Sequence, residues 1–325
     1  MKLWPLCILA AGILVVPVER NEGPLAQGAA DNFLTGGMPY AAFDRLQHIP
    51  LDVQHGTLKV GIAPGALAVS TTELLDWISA SAKAVSAFYG RFPVAAARLL
   101  IVPVDGSTVK TGQTFGHRGA AMRVLVGRNA TAADLKRDWV MVHEMVHLAM
   151  AELDYRHNWL AEGLATYIES IARARVGDLT EAYIWTDFMR GMPRGLPEDG
   201  DRGFDFTSTW GRTYWGGAMF CLLADVEIRK RSNGRFGLQD AVRAVLNAGA
   251  NYEVYWDIRR VFRVGDQATG LDVLMRLYDE MRAKPVRPDL ESLWSELGIA
   301  RNGGKVVFNE AAPLASVRRS IVGRS

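Results

Sequence analysis

The chain has 325 residues, enough for one large domain or two ordinary ones. Apolar residues make up 49% and charged residues 22%, which excludes collagen-like, coiled-coil and wholly disordered chains. Its 37 Lys+Arg against 35 Asp+Glu leave a formal charge of +2, without the electrostatic footprint of a nucleic-acid binder, and Cys7 and Cys221 alone give no disulfide scaffold.

Residues 3–18 read LWPLCILAAGILVVPV behind a single basic residue, Lys2. That is the order of a signal peptide, and the stretch is shorter than the roughly 20 apolar residues of a membrane span. We expect 1–28 to be a signal peptide or a retained N-terminal anchor. The body is then exported, periplasmic or secreted, and this segment is its candidate for membrane association. Residues 29–49 are rich in Gly, Ala and polar residues and read as a linker.

A strand-rich N-terminal lobe follows over 50–130. Strands are expected at 57–62, 99–104 and 120–126, and a loop at 106–119, which is rich in Gly, Thr and Ser. Between the first two strands, Thr71 or Thr72 caps a helix carrying Leu74, Leu75, Ile78, Val85 and Phe88, and Gly90 and Pro93 end it. Thr131, with Asp134 three residues on, opens a helical lobe over 131–300. Helices are expected at 132–152, 159–175, 213–231, 238–247, 251–263, 270–283 and 289–297, with a loop at 192–209. The remainder, 301–325, holds a short strand at 305–308 and a tail. Strands first and helices after them make an α+β arrangement.

Within the first of those helices His143-Glu144-Met145-Val146-His147 matches H-E-x-x-H. Four residues of helix turn about 400° and rise about 6 Å, so both imidazoles share a face and can reach one metal ion. Glu144 projects beside that face, where a carboxylate can take the proton of a metal-activated water. A catalytic zinc usually has three protein ligands. In the downstream stretch Trp159-Leu160-Ala161-Glu162-Gly163-Leu164-Ala165-Thr166-Tyr167, Glu162 is the one carboxylate among apolar neighbours. A buried carboxylate needs a partner or a metal, which makes Glu162 the candidate third ligand.

HEMVH followed by WLAEGLATY resembles the gluzincin metallopeptidases, specifically the aminopeptidase N and glycyl aminopeptidase branches. The 14-residue spacer between His147 and Glu162 is shorter than is usual in the aminopeptidase N branch. The resemblance implies a thermolysin-like zincin core of reduced size, with one Zn2+ held by His143, His147 and Glu162 and with Glu144 as general base. It also implies an oxyanion donor in a Y-x-x-G pattern, which Tyr214-Trp215-Gly216-Gly217 supplies; Tyr167 and His157 are the other candidate donors. In that family an edge strand before the metal helix pairs with the substrate backbone. This places substrate binding at Gly119, Ala120 and Ala121. The acid of the G-x-M-E-N motif is absent from Gly119-Ala120-Ala121-Met122-Arg123, which leaves aminopeptidase and endopeptidase action both open. Arg123 reads as a solvated strand residue or, if it faces the cleft, as a site for an acidic group.

The expected function is hydrolysis of peptide or protein substrates by an exported zinc metallopeptidase. The alternatives are a catalytically silent metal-binding protein of the envelope and a zinc hydrolase of a non-peptide substrate.

Overall fold

The computed structural model describes residues 33–34 and 36–323. The leader or anchor expected at 1–28 lies outside the described residues. Among the described residues no helix is long and apolar enough to cross a membrane.

The described residues include a short helix, α1 (Tyr40–Phe43), then strands β1 (His48–Val53) and β2 (Gly56–Ile62), helix α2 (Thr71–Tyr89), and strands β3 (Ala96–Val104), β4 (Val109–Phe115) and β5 (Ala121–Gly127). The five strands form one sheet in the order β1-β2-β3-β5-β4. β2, β3 and β5 run parallel, and β1 and β4 are antiparallel additions at the two edges. The fold is therefore α+β as expected, but β1 and β4 were not legible as strands. β4 reads Val-Lys-Thr-Gly-Gln-Thr-Phe, and its half-exposed edge position tolerates the polar residues that suggest a loop.

Strands β3 and β5 are mostly apolar runs because both faces of the sheet are covered there. Leu99 and Ile101 of β3, and Met122, Val124 and Val126 of β5, face the main core. The alternate residues Leu100, Val102 and Ala121 face a second cluster with Phe33, Met38, Ala42 and Phe43. So part of the segment expected as a linker packs as an arm over the back of the sheet. Arg123 holds it there. The side chain is buried, and its guanidinium donates to the carbonyl of Gly37 at 2.8 Å and to Gln113 Oε1 at 3.2 Å. It is neither solvated nor in the cleft, which corrects both readings of this residue.

The cap of α2 is Ser70, one residue before the expected position. Ser70 Oγ accepts the Glu73 N–H, and Glu73 returns a carboxylate to the Ser70 N–H at 2.8 Å. Past the sheet come α3 (Ala132–Arg137), capped by Thr131 and Asp134 as expected, and α4 (Val140–His147). The single helix expected over 132–152 is broken between them. Asp138 is extended, and its carboxylate accepts the N–H groups of Val140 and Met141 at 3.0 and 2.9 Å, starting α4 afresh.

The remaining helices are α5 (Asn158–Arg175), α6 (Glu181–Gly191), α7 (Gly217–Arg231), α8 (Leu238–Asn247), α9 (Ile258–Thr269), α10 (Val273–Met281), α11 (Leu290–Glu296) and, after a hairpin of β6 (Ile299–Asn302) and β7 (Lys305–Phe308), α12 (Ala315–Ile321). Cys221 of α7 is buried and free, as its apolar surroundings suggest.

Where α5 crosses α7, Gly163 meets Gly217. A Cβ on Gly163 would lie 2.3 Å from the Gly217 carbonyl carbon and 2.4 Å from its Cα. In a free helix Gly→Ala gains about 1 kcal/mol. Here we expect Gly163→Ala to destabilise the protein by about 1–3 kcal/mol, because overpacking against backbone outweighs propensity. Urea unfolding checks this; an unchanged or raised midpoint would mean that the helices can part freely.

Candidate metal centre

α4 begins in the core and presents one face to α5. Its apolar residues, Val140, Met141, Val142, Met145 and Val146, are all buried. His143 and His147, one turn apart, emerge on the face toward α5, their ring centroids 4.9 Å apart. Glu162, in the second turn of α5, closes the group. Its Oε2 lies 3.1 Å from His143 Nε2 and 3.5 Å from His147 Nε2. One ligand atom from each of the three residues lies within 4.8 Å of the others. Two imidazole nitrogens and one carboxylate oxygen converging on a point form a donor set suited to zinc, and three such ligands leave a coordination position open.

Glu162 is a carboxylate held between two imidazole nitrogens. Burial works against the charged form of Glu162, but His147 and His143 offset it and hold its pKa well below the usual carboxylate range. Burial also works against a protonated His147, and Glu162 overcomes it, so the His147 pKa is raised. His143 is oriented by packing. Its Nδ1 is buried without a hydrogen-bond partner among the described residues, while Trp139 lies edge-on at 5.3 Å and Tyr214 stacks at 6.3 Å.

Glu144 is 7% exposed and sits on the β4 side of α4. Thr114 of β4 places its hydroxyl 2.7 Å from Glu144 Oε2. Gly112, two residues earlier on the same strand, faces the same carboxylate: a Cβ there would lie 2.3 Å from Glu144 Cγ. The strand therefore approaches the glutamate closely only because residue 112 has no side chain. Burial is the largest influence on the Glu144 carboxyl and raises its pKa, against the lowering effect of both histidines and Thr114.

Tyr214 lies in a π-helical segment, Arg212–Gly216, that leads into α7. Such a bulge adds a residue to the turn and re-aims side chains. The Tyr214 ring sits between Trp210, stacked at 5.8 Å, and His143. The other two candidate donors do not reach the centre. Tyr167 is buried and donates to Asp225 Oδ2 at 2.9 Å, and His157 lies against Tyr278 and Asp205.

Gly119, Ala120 and Ala121 need correction as an edge. β5 is interior, between β3 and β4, and among the described residues the edge on that side is β4. The Ala120 N–H already donates to Glu253 Oε1 at 3.1 Å, its carbonyl accepts the Arg98 N–H at 3.0 Å, and Ala121 pairs with both neighbouring strands. The backbone groups of Ala120 and Ala121 are therefore engaged within the chain. The sequence reading missed β4 as the edge, Thr114 and Gly112 as neighbours of Glu144, and Tyr252, whose ring lies 6.3 Å from that of His147. The strand-favouring residues Val109, Thr111, Thr114 and Phe115 were the available signal for β4; none pointed to Tyr252.

No protein-family model matches the chain, and no curated protein matches it. Solved structures do match. An aminopeptidase N family protein from Idiomarina loihiensis aligns with a TM-score of 0.60 at 14% identity, over 78% of this chain and 49% of that one. An M1 zinc metallopeptidase from Deinococcus radiodurans aligns with a TM-score of 0.48 at 15% identity, over 74% and 51%. A variant two-domain M1 zinc metallopeptidase bound to L-arginine gives 0.49 at 15% identity, over 75% and 52%. The chain spans about half the length of these structures. The first of these likenesses shows the fold: the chain has an α+β arrangement similar to part of an aminopeptidase N family protein.

Proposed function

We propose that this chain is an exported zinc metallopeptidase of gluzincin type, acting on peptide or protein substrates. The observation that carries the reading is the convergence of His143, His147 and Glu162 on one point, with the buried Glu144 carboxylate of α4 held against Thr114 of β4. His143, His147 and Glu162 would hold one zinc ion, which when bound polarises a water and a substrate carbonyl. Glu144 takes the proton of the attacking water and passes it to the leaving amine. Burial raises its carboxyl pKa, the direction that makes it a stronger base. Tyr214 donates a hydrogen bond to the carbonyl oxygen as negative charge grows there. The peptide adds as a further strand on the edge of β4, which Gly112 lets pack directly against the Glu144 side chain. Export rests on Lys2 and the apolar run that follows it.

The test is metal dependence. We expect a mixed peptide library to be cleaved by the zinc-loaded protein, cleavage to stop on treatment with a chelator, and zinc to restore it. Cleavage that survives complete removal of the metal would overturn the proposal.

A further inference from the structure

Tyr252 is in the segment joining α8 to α9, far in sequence from α4 and α5. Backbone contacts fix this segment against the centre. The Tyr252 N–H donates to the Leu148 carbonyl at the end of α4. The Glu152 N–H donates to the Val254 carbonyl at 2.9 Å, and the Trp256 N–H donates to the Glu152 carbonyl at 3.0 Å. Next to Tyr252, Glu253 takes the Ala120 N–H at the start of β5. So Tyr252 is pinned from both the helix and the sheet, with its ring beside His147. Its hydroxyl has no hydrogen-bond partner among the described residues, although the residue is half-buried. A tyrosine in such a place usually has a partner for its O–H.

We propose that Tyr252 is a second phenol of the active site, donating its hydroxyl hydrogen to a substrate oxygen on the His147 side, opposite Tyr214 on the His143 side. This rests on the peptidase reading above. Burial pushes the phenol up to about 12, and the nearby charges of Glu152, Glu162 and Glu144 push the same way, so it stays a donor throughout the neutral range. Loss of one such donor commonly costs about 10²–10³-fold in kcat.

The experiment compares Tyr252→Phe with wild type, both full-length and zinc-loaded. Phe keeps the ring packing and removes only the donor. We expect zinc content and KM within twofold of wild type, kcat for library peptides lower by about 10²-fold, and calorimetric binding of a phosphinic pseudopeptide, a tetrahedral mimic, weaker by more than tenfold. Phosphinic binding and kcat both within twofold of wild type would overturn the role. If wild type binds the phosphinic compound but cleaves no peptide, the peptidase reading fails and the binding ratio still judges Tyr252. If wild type does not bind it, both fail.

Discussion

Glu144→Gln is expected to lower kcat/KM for peptide hydrolysis by about 10²–10⁴-fold, the usual contribution of a positioned general base, while zinc stoichiometry stays the same. The amide is isosteric, so it fills the same space under Gly112 and can still accept from the Thr114 hydroxyl. What it cannot do is take a proton from water. The proposed metal-binding atoms belong to His143, His147 and Glu162, which the substitution leaves in place. The split between retained zinc and lost turnover is therefore the signature of the base. Steady-state kinetics with metal analysis on the same sample reads it. Activity within threefold of wild type would remove Glu144 from the mechanism.

Glu162→Gln is expected to weaken zinc binding by more than about 100-fold, beyond the 10–100-fold typical of groups that only hydrogen-bond a ligand, because the proposed third ligand loses its charge. The physical cause lies in the present geometry. The Glu162 carboxylate sits 3.1 and 3.5 Å from the two Nε2 atoms. A neutral amide there compensates neither a cation nor a protonated imidazole. The helix α5 should survive, since Glu162 is in its second turn and the buried anchors Trp159, Leu160 and Leu164 are untouched. Competition with a zinc-sensitive dye on both proteins measures the change, and circular dichroism monitors the helix. Equal affinity in the two proteins would mean that the third ligand is another group.

The grouping of His143, His147 and Glu162 was largely legible in the sequence, because its information is local. His143 and His147 share a helix face by their spacing alone. Glu162 stands out as a carboxylate in an apolar stretch, and Gly163 after it has a reason in the crossing with Gly217. Much of the surrounding cleft was not legible, since it depends on tertiary pairing. β4 carries Lys, Thr, Gly and Gln because one of its sides is free, so its composition imitates a loop. The strand before the metal helix looked like the edge by its place in the chain, yet β4 folds back antiparallel beyond it and takes that place. Arg123 looked like a surface residue because no local pattern announces that the arm at Phe33 and Gly37 will cover it. Tyr252 reaches His147 from about a hundred residues away, through backbone contacts that leave no periodic trace.

The most direct measurement of the central claim is anomalous diffraction at the zinc absorption edge from crystals of the zinc-loaded protein. The account predicts a single strong peak about 2.0–2.2 Å from His143 Nε2, His147 Nε2 and a Glu162 carboxylate oxygen. No peak there in zinc-loaded crystals, or a peak held by the two histidines with the Glu162 carboxylate turned away, would contradict it.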